Sequence, residues 1–330
     1  MRVAVIGEGV IGCSSALAIK RRFPSAEIVV YSDLPFQESC SFGPAGLFRV
    51  DKLCYRDFAK ATFDHFAVLH KSVGPASGVK LLSGYIQSED KEKLEAQEEI
   101  YGDIVYNFKW LNEREKMGLL VNPKNECIHF TSYASEGNIY VPYLKNELLK
   151  VGVAFRRQRI EDIDDLGRHV DVIVNCAGLN GGIVAGDGDI VTPIRGVAIE
   201  VETPWHKHFF YENFCNFTIP KANSVVLGSV KQIGRTDTIV TDEDRKEIWE
   251  NYLRIQPTFK DAKVLREWCH LRPERKEIRL ECIEKKLADG KKYLLVHNYG
   301  HGANGFTLHM GCALKVIDLI EKNTHCSSKL

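Results

Sequence analysis

At the N-terminus Arg2-Val3-Ala4-Val5-Ile6 runs into Gly7-Glu8-Gly9-Val10-Ile11-Gly12, an Ala/Leu/Ile-rich stretch continues to Arg22, and Glu27-Ile28-Val29-Val30-Tyr31-Ser32-Asp33 follows. Continuous apolar runs such as Val3 to Ile6 and Ile28 to Val30 are the pattern of strands buried on both faces of a parallel sheet. The segment therefore reads as strand, glycine-rich turn, helix, strand, closed by an acid 21 residues after Gly12. Gly7, Gly9 and Gly12 let the backbone approach a pyrophosphate, and the N–H groups of Val10 and Ile11 at the helix N-terminus stabilise that anion. Asp33 can accept from ribose hydroxyls. This unit predicts a dinucleotide site and leaves NAD and FAD open.

The same alternation recurs further on. Tyr140 to Lys150 reads as a helix stopped near Gly152, Val153 to Arg156 as extended, and Asp171 to Asn175 as another buried strand ending in Cys176-Ala177-Gly178. From Thr192 to about Val240 the pattern changes to short β-type runs separated by Pro and Asn, which predicts a mostly antiparallel second domain. A helix is expected from Thr241, whose hydroxyl can cap it with Asp244 three residues on, stopping before Pro257. Tyr293 to Val296 reads as a strand, Gly300 to Gly305 as a second glycine-rich turn, and Thr307 to Lys322 as a helix.

Composition narrows the function classes. Lys+Arg and Asp+Glu both number 44, so no long-range positive field draws in nucleic acid or an anionic membrane. No apolar stretch reaches the roughly 18 residues of a membrane span. The closest of the 10 cysteines, Cys269 and Cys282, are 13 positions apart, and no metal-spaced cluster occurs, so no metal is expected. With a strand-like run beginning at Arg2, no signal peptide is expected, and the thiols are expected to be reduced.

Two glycine-rich strand-to-helix turns from opposite ends of one chain suit a long extended cofactor, one helix N-terminus for the pyrophosphate and the other for a flavin ring. The segment Leu295-Val296-His297-Asn298-Tyr299-Gly300-His301-Gly302-Ala303-Asn304-Gly305-Phe306-Thr307, with Gly311 and Ala313 after it, resembles the C-terminal signature of the D-amino-acid oxidase and D-aspartate oxidase family. The resemblance covers essentially the whole chain. Ala45-Gly46-Leu47 looks like the family's flavin-cradling segment, Ser39-Cys40-Ser41 stands at its hydroxyl-rich triplet, and Val174 to Gly178, Pro193 to Gly196 and Thr203-Pro204-Trp205 follow in family order. By the same register Ile160 falls at the adenine-contacting position and Ala177 near the cofactor. Gly302, Ala303, Gly305, Phe306 and Thr307 would face the flavin.

The resemblance implies an α/β fold: a Rossmann-like FAD-binding domain (1–58, 132–188 and 291–330) and a second, mainly antiparallel β substrate domain (59–131 and 189–290). It implies non-covalent FAD, and oxidation of a D-amino acid to the imino acid, which hydrolyses to 2-oxo acid and ammonia while molecular oxygen becomes hydrogen peroxide. The absence of a Ser/His/Asp or paired-carboxylate constellation accords with cofactor chemistry, and His297 and His301 are expected to orient backbone and pack.

Arg272, in Leu271-Arg272-Pro273, matches the family's carboxylate-binding arginine, although by itself the charge-rich run Arg266 to Arg279 reads as a solvated face. Phe217 occupies a family tyrosine position and Asn213 another, so two hydroxyl donors are expected to be missing. Lys231 stands where D-aspartate oxidases resemble it with an arginine and neutral-substrate enzymes carry an aromatic, and Arg49 adds a second positive charge near the flavin face. Read without the family register, both are ordinary surface charges. The expectation is an oxidase for acidic D-amino acids. The alternatives are an enzyme of broad or neutral specificity, an NAD(P)-linked dehydrogenase and a non-catalytic flavin binder. The terminal Ser328-Lys329-Leu330 matches a peroxisomal import signal and predicts an import receptor as partner and the peroxisomal matrix as location.

Overall fold

The computed structural model describes residues 1–123 and 126–326, so the import-signal tripeptide lies outside the described residues. Its strands are β1 (Arg2–Ile6), β2 (Glu27–Ser32), β3 (Val79–Ser88), β4 (Tyr106–Trp110), β5 (Glu126–Ser135), β6 (Ala154–Arg157), β7 (Val172–Asn175), β8 (Thr192–Glu202), β9 (Phe209–Glu212), β10 (Asn216–Pro220), β11 (Val225–Ile233), β12 (Lys263–Lys286) and β13 (Lys292–His301). Among the described residues they form one sheet in the order β4-β5-β3-β9-β10-β11-β8-β12-β13-β7-β1-β2-β6.

The last five, β13-β7-β1-β2-β6, run parallel, with Val3 opposite both Ile28 and Val172. Their unbroken apolar sequence follows from cover on both faces. Val3 and Val5 pack with Cys13 and Leu17 of the helix Val10–Arg22 and with Leu308, Cys312 and Val316 of the helix Gly305–Cys326. Ala4 and Ile6 point the other way into a cluster with Tyr31, Ile173 and Leu295. The remaining strands are antiparallel apart from the β3–β9 pair. The sheet thus continues from the parallel half into the other without a break, and β5 runs across residues 131 and 132, where the sequence reading divides the domains.

The link between the halves is β12. Its first part pairs with β8, Arg272 opposite Ile194, and its last part with β13, Cys282 opposite Val296. The run Arg266 to Arg279 is therefore not a solvated face: apart from Lys276 and Glu277 its residues are buried or half-buried, in a strand laddered to β8 through Glu274 and to β13 from Arg279 onward.

Beside this strand, Arg195 of β8 is fully buried. Its guanidinium donates to Asp244 Oδ1 (3.0 Å) and Oδ2 (2.7 Å), Gln232 Oε1 (2.8 Å), the Asp237 carbonyl (3.1 Å) and the Ile239 carbonyl. All five donors are used. Asp244 also closes the predicted capping box with Thr241 at the start of the helix Asp242–Ile255. Burial pushes the Asp244 carboxyl up, but the hydrogen bonds from Arg195 and Thr241 together with the Arg195 charge leave it below its ordinary value. The nine described cysteines are free thiols, no described helix is long and apolar enough to cross a membrane, and no described His/Cys/Asp/Glu group could hold a metal.

Asp244→Ala would leave the Arg195 guanidinium buried without its carboxylate, which costs about 3–5 kcal/mol. We expect the urea unfolding midpoint to drop accordingly. An unchanged midpoint would show that the pair does not hold β8 to the helix.

Candidate active site

A cavity of about 930 Å³ runs from the Gly7–Gly12 turn past the Gly302–Thr307 turn to β12. At its first end Gly7 adopts φ +112°, and a Cβ there would lie 2.4 Å from the Cys176 carbonyl oxygen, so only glycine allows β1 to turn this close to β7. Gly12 alone of the expected cofactor residues does not line the cavity. Its place is behind the turn, where a Cβ would lie 1.8 Å from the Gly7 carbonyl oxygen, so it serves the close packing of helix on strand. Gly9 is the N-cap of the helix Val10–Arg22, and that helix has no acid in its first turn to neutralise its positive end. The Val10 N–H donates to Ser41 Oγ at 3.1 Å.

Gly7, Gly9, Val10, Ile11, Asp33, Ser39, Cys40, Ser41, Ile160 and Ala177 all line this end. Asp33 is exposed one residue past the end of β2. Glu8, which no motif singles out in the sequence, is buried within the same turn, accepts from Ser32 Oγ at 3.2 Å, and pairs with Lys145 at 3.4 Å and Arg157 at 3.7 Å.

At the far end β13 continues as strand through His301, so the second turn is shorter than expected: Gly302–Asn304 forms a 3-10 turn that leads into the helix starting at Gly305. Gly302, Ala303, Gly305, Phe306 and Thr307 line the cavity opposite Ala45, Gly46 and Leu47. Gly46 has φ +56° with its Cβ position 2.1 Å from the Ser135 carbonyl oxygen. Among the described residues, three polar atoms on cavity-lining residues are buried without a hydrogen-bond partner: Ser39 Oγ, Asn298 Oδ1 and His301 Nε2. A long cavity with a helix N-terminus whose first turn carries no acid, close backbone and unsatisfied donors and acceptors fits an FAD molecule. Burial pushes His301 down to about 3 and His297 down to about 4. His297 lies outside the cavity lining and meets Asn175 Nδ2 at 3.3 Å.

Arg272, Lys231, Arg49 and Phe217 also line the cavity. The Arg272 guanidinium lies over Gly196, where a Cβ would come 2.0 Å from Nη1, and Nη2 donates to Ser229 Oγ at 3.5 Å. No carboxylate of the described residues pairs with it. Lys231 is exposed and likewise has no ion-pair partner among the described residues. The two cations flank one strand, because Gly196 of β8 stands opposite Lys231 on one side and His270 on the other.

Two expectations need correction. Arg49 is not a free cation: its guanidinium grips Asp51, with Nη2 to Oδ2 at 3.2 Å, and meets Gln97 Oε1 at 3.4 Å. The loss of hydroxyls is also incomplete. Asn213 does turn away, its Oδ1 accepting from the Glu89 N–H at 3.2 Å, but Tyr211 brings a phenol to the cavity, its ring 5.1 Å from that of Phe217. Burial pushes that phenol up. Tyr211 stands directly opposite Phe217 in the β9–β10 ladder, a pairing that would have found it had β9 been recognised.

A family model described as FAD dependent oxidoreductase (DAO) matches residues 2–319. D-aspartate oxidase 1 of Caenorhabditis elegans is 55% identical over 332 residues, covering 100% of this chain and 99% of that protein. D-aspartate oxidase of Homo sapiens is 30% identical, covering 98% and 96%. Among solved structures, glycine oxidase from Bacillus cereus ATCC 14579 aligns with a TM-score of 0.79 at 20% identity over 98% of this chain and 95% of that one.

A side chain at position 9 would meet Ser41 Oγ at 2.9 Å and fill the phosphate end of the cavity, while the only atoms near it belong to a serine side chain that can rotate away. Gly9→Val is therefore expected to keep the fold and lose the flavin, read as the ratio of visible to ultraviolet absorbance after gel filtration. Full flavin content in the folded variant would place the pyrophosphate elsewhere.

Proposed function

The chain belongs to the FAD-dependent oxidoreductase (DAO) family, and from that membership we propose that it oxidises acidic D-amino acids, D-aspartate and with it D-glutamate, to the 2-oxo acid, ammonia and hydrogen peroxide. The observation that carries the reading is a pair of cations without carboxylate partners among the described residues, Arg272 and Lys231, at the end of a flavin-sized cavity. FAD, when bound, supplies the acceptor for the hydrogen and electron pair leaving Cα and hands the electrons to oxygen.

The protein's part is to bind and orient. The planar Arg272 fork donates two parallel hydrogen bonds to the α-carboxylate and so fixes the direction of the Cα–H bond. Gly196 lets the guanidinium lie flat, and Ser229 steadies one nitrogen. A second carboxylate entering a partly dehydrated pocket needs a cationic partner to offset its lost hydration. Lys231, with Arg49 in support, fills that role, and its flexible point charge tolerates both aspartate and glutamate. A positive charge at position 231 disfavours the neutral-substrate alternative, and the D-aspartate oxidases at 50–55% identity point the same way.

Two variants separate the roles. Arg272→Ala should lower kcat/KM for every D-amino acid by a factor equivalent to about 2–5 kcal/mol, whereas Lys231→Leu should lower it about fivefold or more for D-aspartate and leave D-alanine unaffected. Peroxide production at saturating FAD reads both. An equal loss on both substrates in Lys231→Leu would make that lysine structural, and a wild-type preference for D-alanine would sink the acidic-substrate reading.

We also propose import into peroxisomes through Ser328-Lys329-Leu330, supported by the tripeptide itself and by a product suited to a catalase-containing compartment. A fluorescent protein fused after Leu330 should leave the enzyme cytosolic, while an N-terminal fusion should be punctate. Punctate fluorescence from both would remove the signal.

A further inference from the structure

The acidic-substrate reading leaves one cavity-lining carboxylate unexplained. Asp51 faces the same cavity that is to admit a dicarboxylate, and it sits in the fork of Arg49. The two partners of this pair are held very differently.

Arg49 is fixed from several sides. Its side chain is 14% exposed. Its guanidinium lies 5.6 Å from the Tyr211 ring centre and 5.5 Å from that of Phe214, and Gln97 Oε1 stands behind it at 3.4 Å. The Thr307 hydroxyl accepts from its backbone N–H at 3.3 Å and donates to its carbonyl at 2.9 Å. Asp51, in contrast, has a side chain 42% exposed, and all its side-chain hydrogen bonds among the described residues go to Arg49. The fork cannot leave, whereas the carboxylate can swing into water. Tyr211 ties the pair to the substrate end, since its ring lies under the Arg49 guanidinium and 5.1 Å from that of Phe217, which lines the same cavity as Arg272.

We propose that Asp51 is an internal competitor for the substrate's distal carboxylate: it fills the Arg49 fork in the resting enzyme and is displaced when a dicarboxylate, anchored at Arg272, enters. The proposal rests on the acidic-substrate reading and deepens it. Exchange of one carboxylate for another keeps Arg49 paired throughout, so the pocket never holds a buried guanidinium without a counter-charge, and the distal carboxylate leaves water for a partner already desolvated. A neutral D-amino acid has no group to make the exchange and leaves Asp51 in place. Asp51 thereby sets how tightly dicarboxylates bind without touching the reacting carbon, and Lys231 remains the mobile charge at the exposed side.

The test is a titration of the holoenzyme followed by the visible flavin spectrum. Succinate is the probe, being the skeleton of aspartate without the amino group that would be oxidised, and propionate, with one carboxylate, is the control. In Asp51→Asn, succinate should bind roughly fivefold more tightly, the size of a partly exposed ion pair, and propionate should be unchanged. Asp51→Ser carries the same comparison if the Asn variant is not recovered folded. Loss of a negative charge near any anion site also strengthens anion binding, so the decisive arm repeats the change in an Arg49→Gln background, where the gain should vanish. Unchanged or weaker succinate binding in Asp51→Asn, an equal shift for propionate, or a gain that survives Arg49→Gln would each overturn the proposal. A wild-type enzyme that prefers D-alanine to D-aspartate defeats the underlying reading instead; one that prefers D-aspartate with Asp51→Asn unchanged defeats only the role of Asp51.

Discussion

A single 24-residue strand, β12, holds the two halves of the molecule in register. A strand advances by a nearly constant 3.2–3.4 Å per residue and alternates its side chains between faces, so its pairing partners leave no freedom in where each side chain stands. Through Glu274 the ladder is with β8 of the antiparallel half, and from Arg279 onward with β13 of the parallel half. The arginine expected to hold the substrate and the turn expected to hold the flavin are therefore positioned by one continuous backbone. The irregular register between Glu274 and Arg279 falls where the strand passes from one ladder to mainly the other.

Around that strand the protein treats its arginines in three ways. Arg195, at 0% exposure, has every N–H donor engaged and serves only to fasten β8 to the loop and helix behind it. Arg272, its neighbour one strand over, has a single long bond to Ser229 and is left with donors for a ligand. Arg49 is intermediate, paired with a carboxylate that is itself half in water. All three are the same residue type. Their difference lies in what the fold brings opposite them, since a buried charge is stable only with a partner and a binding charge is useful only without one.

That difference marks the limit of what could be read from the chain alone. The β1–turn–β2 unit was legible because its apolar runs, glycine spacing and closing acid are all local, and the Thr241–Asp244 cap for the same reason. β12 was not, because half-buried charged positions in a strand handed from one ladder to another look like an exposed run when only composition is read. Tyr211 was missed because its importance depends on facing Phe217 across two strands. Arg49 was recognised as a charge near the cofactor, but the carboxylate two residues along, which neutralises it, drew no notice. Arg272 could be selected only through family resemblance, since nothing adjacent to it distinguishes it from Arg266 or Arg275, both of which the structure places in ion pairs.

The three unsatisfied polar atoms on the cavity wall have a meaning beyond recognition. Ser39 Oγ, Asn298 Oδ1 and His301 Nε2 come from opposite ends of the chain. Each buried group left unpaired costs about 1–3 kcal/mol, a sum comparable with the whole stability of an ordinary domain. A ligand that satisfies them stabilises the folded state by mass action. Flavin supply and the lifetime of the polypeptide are then linked: a cell short of the cofactor would hold less of this protein as well as less of its activity.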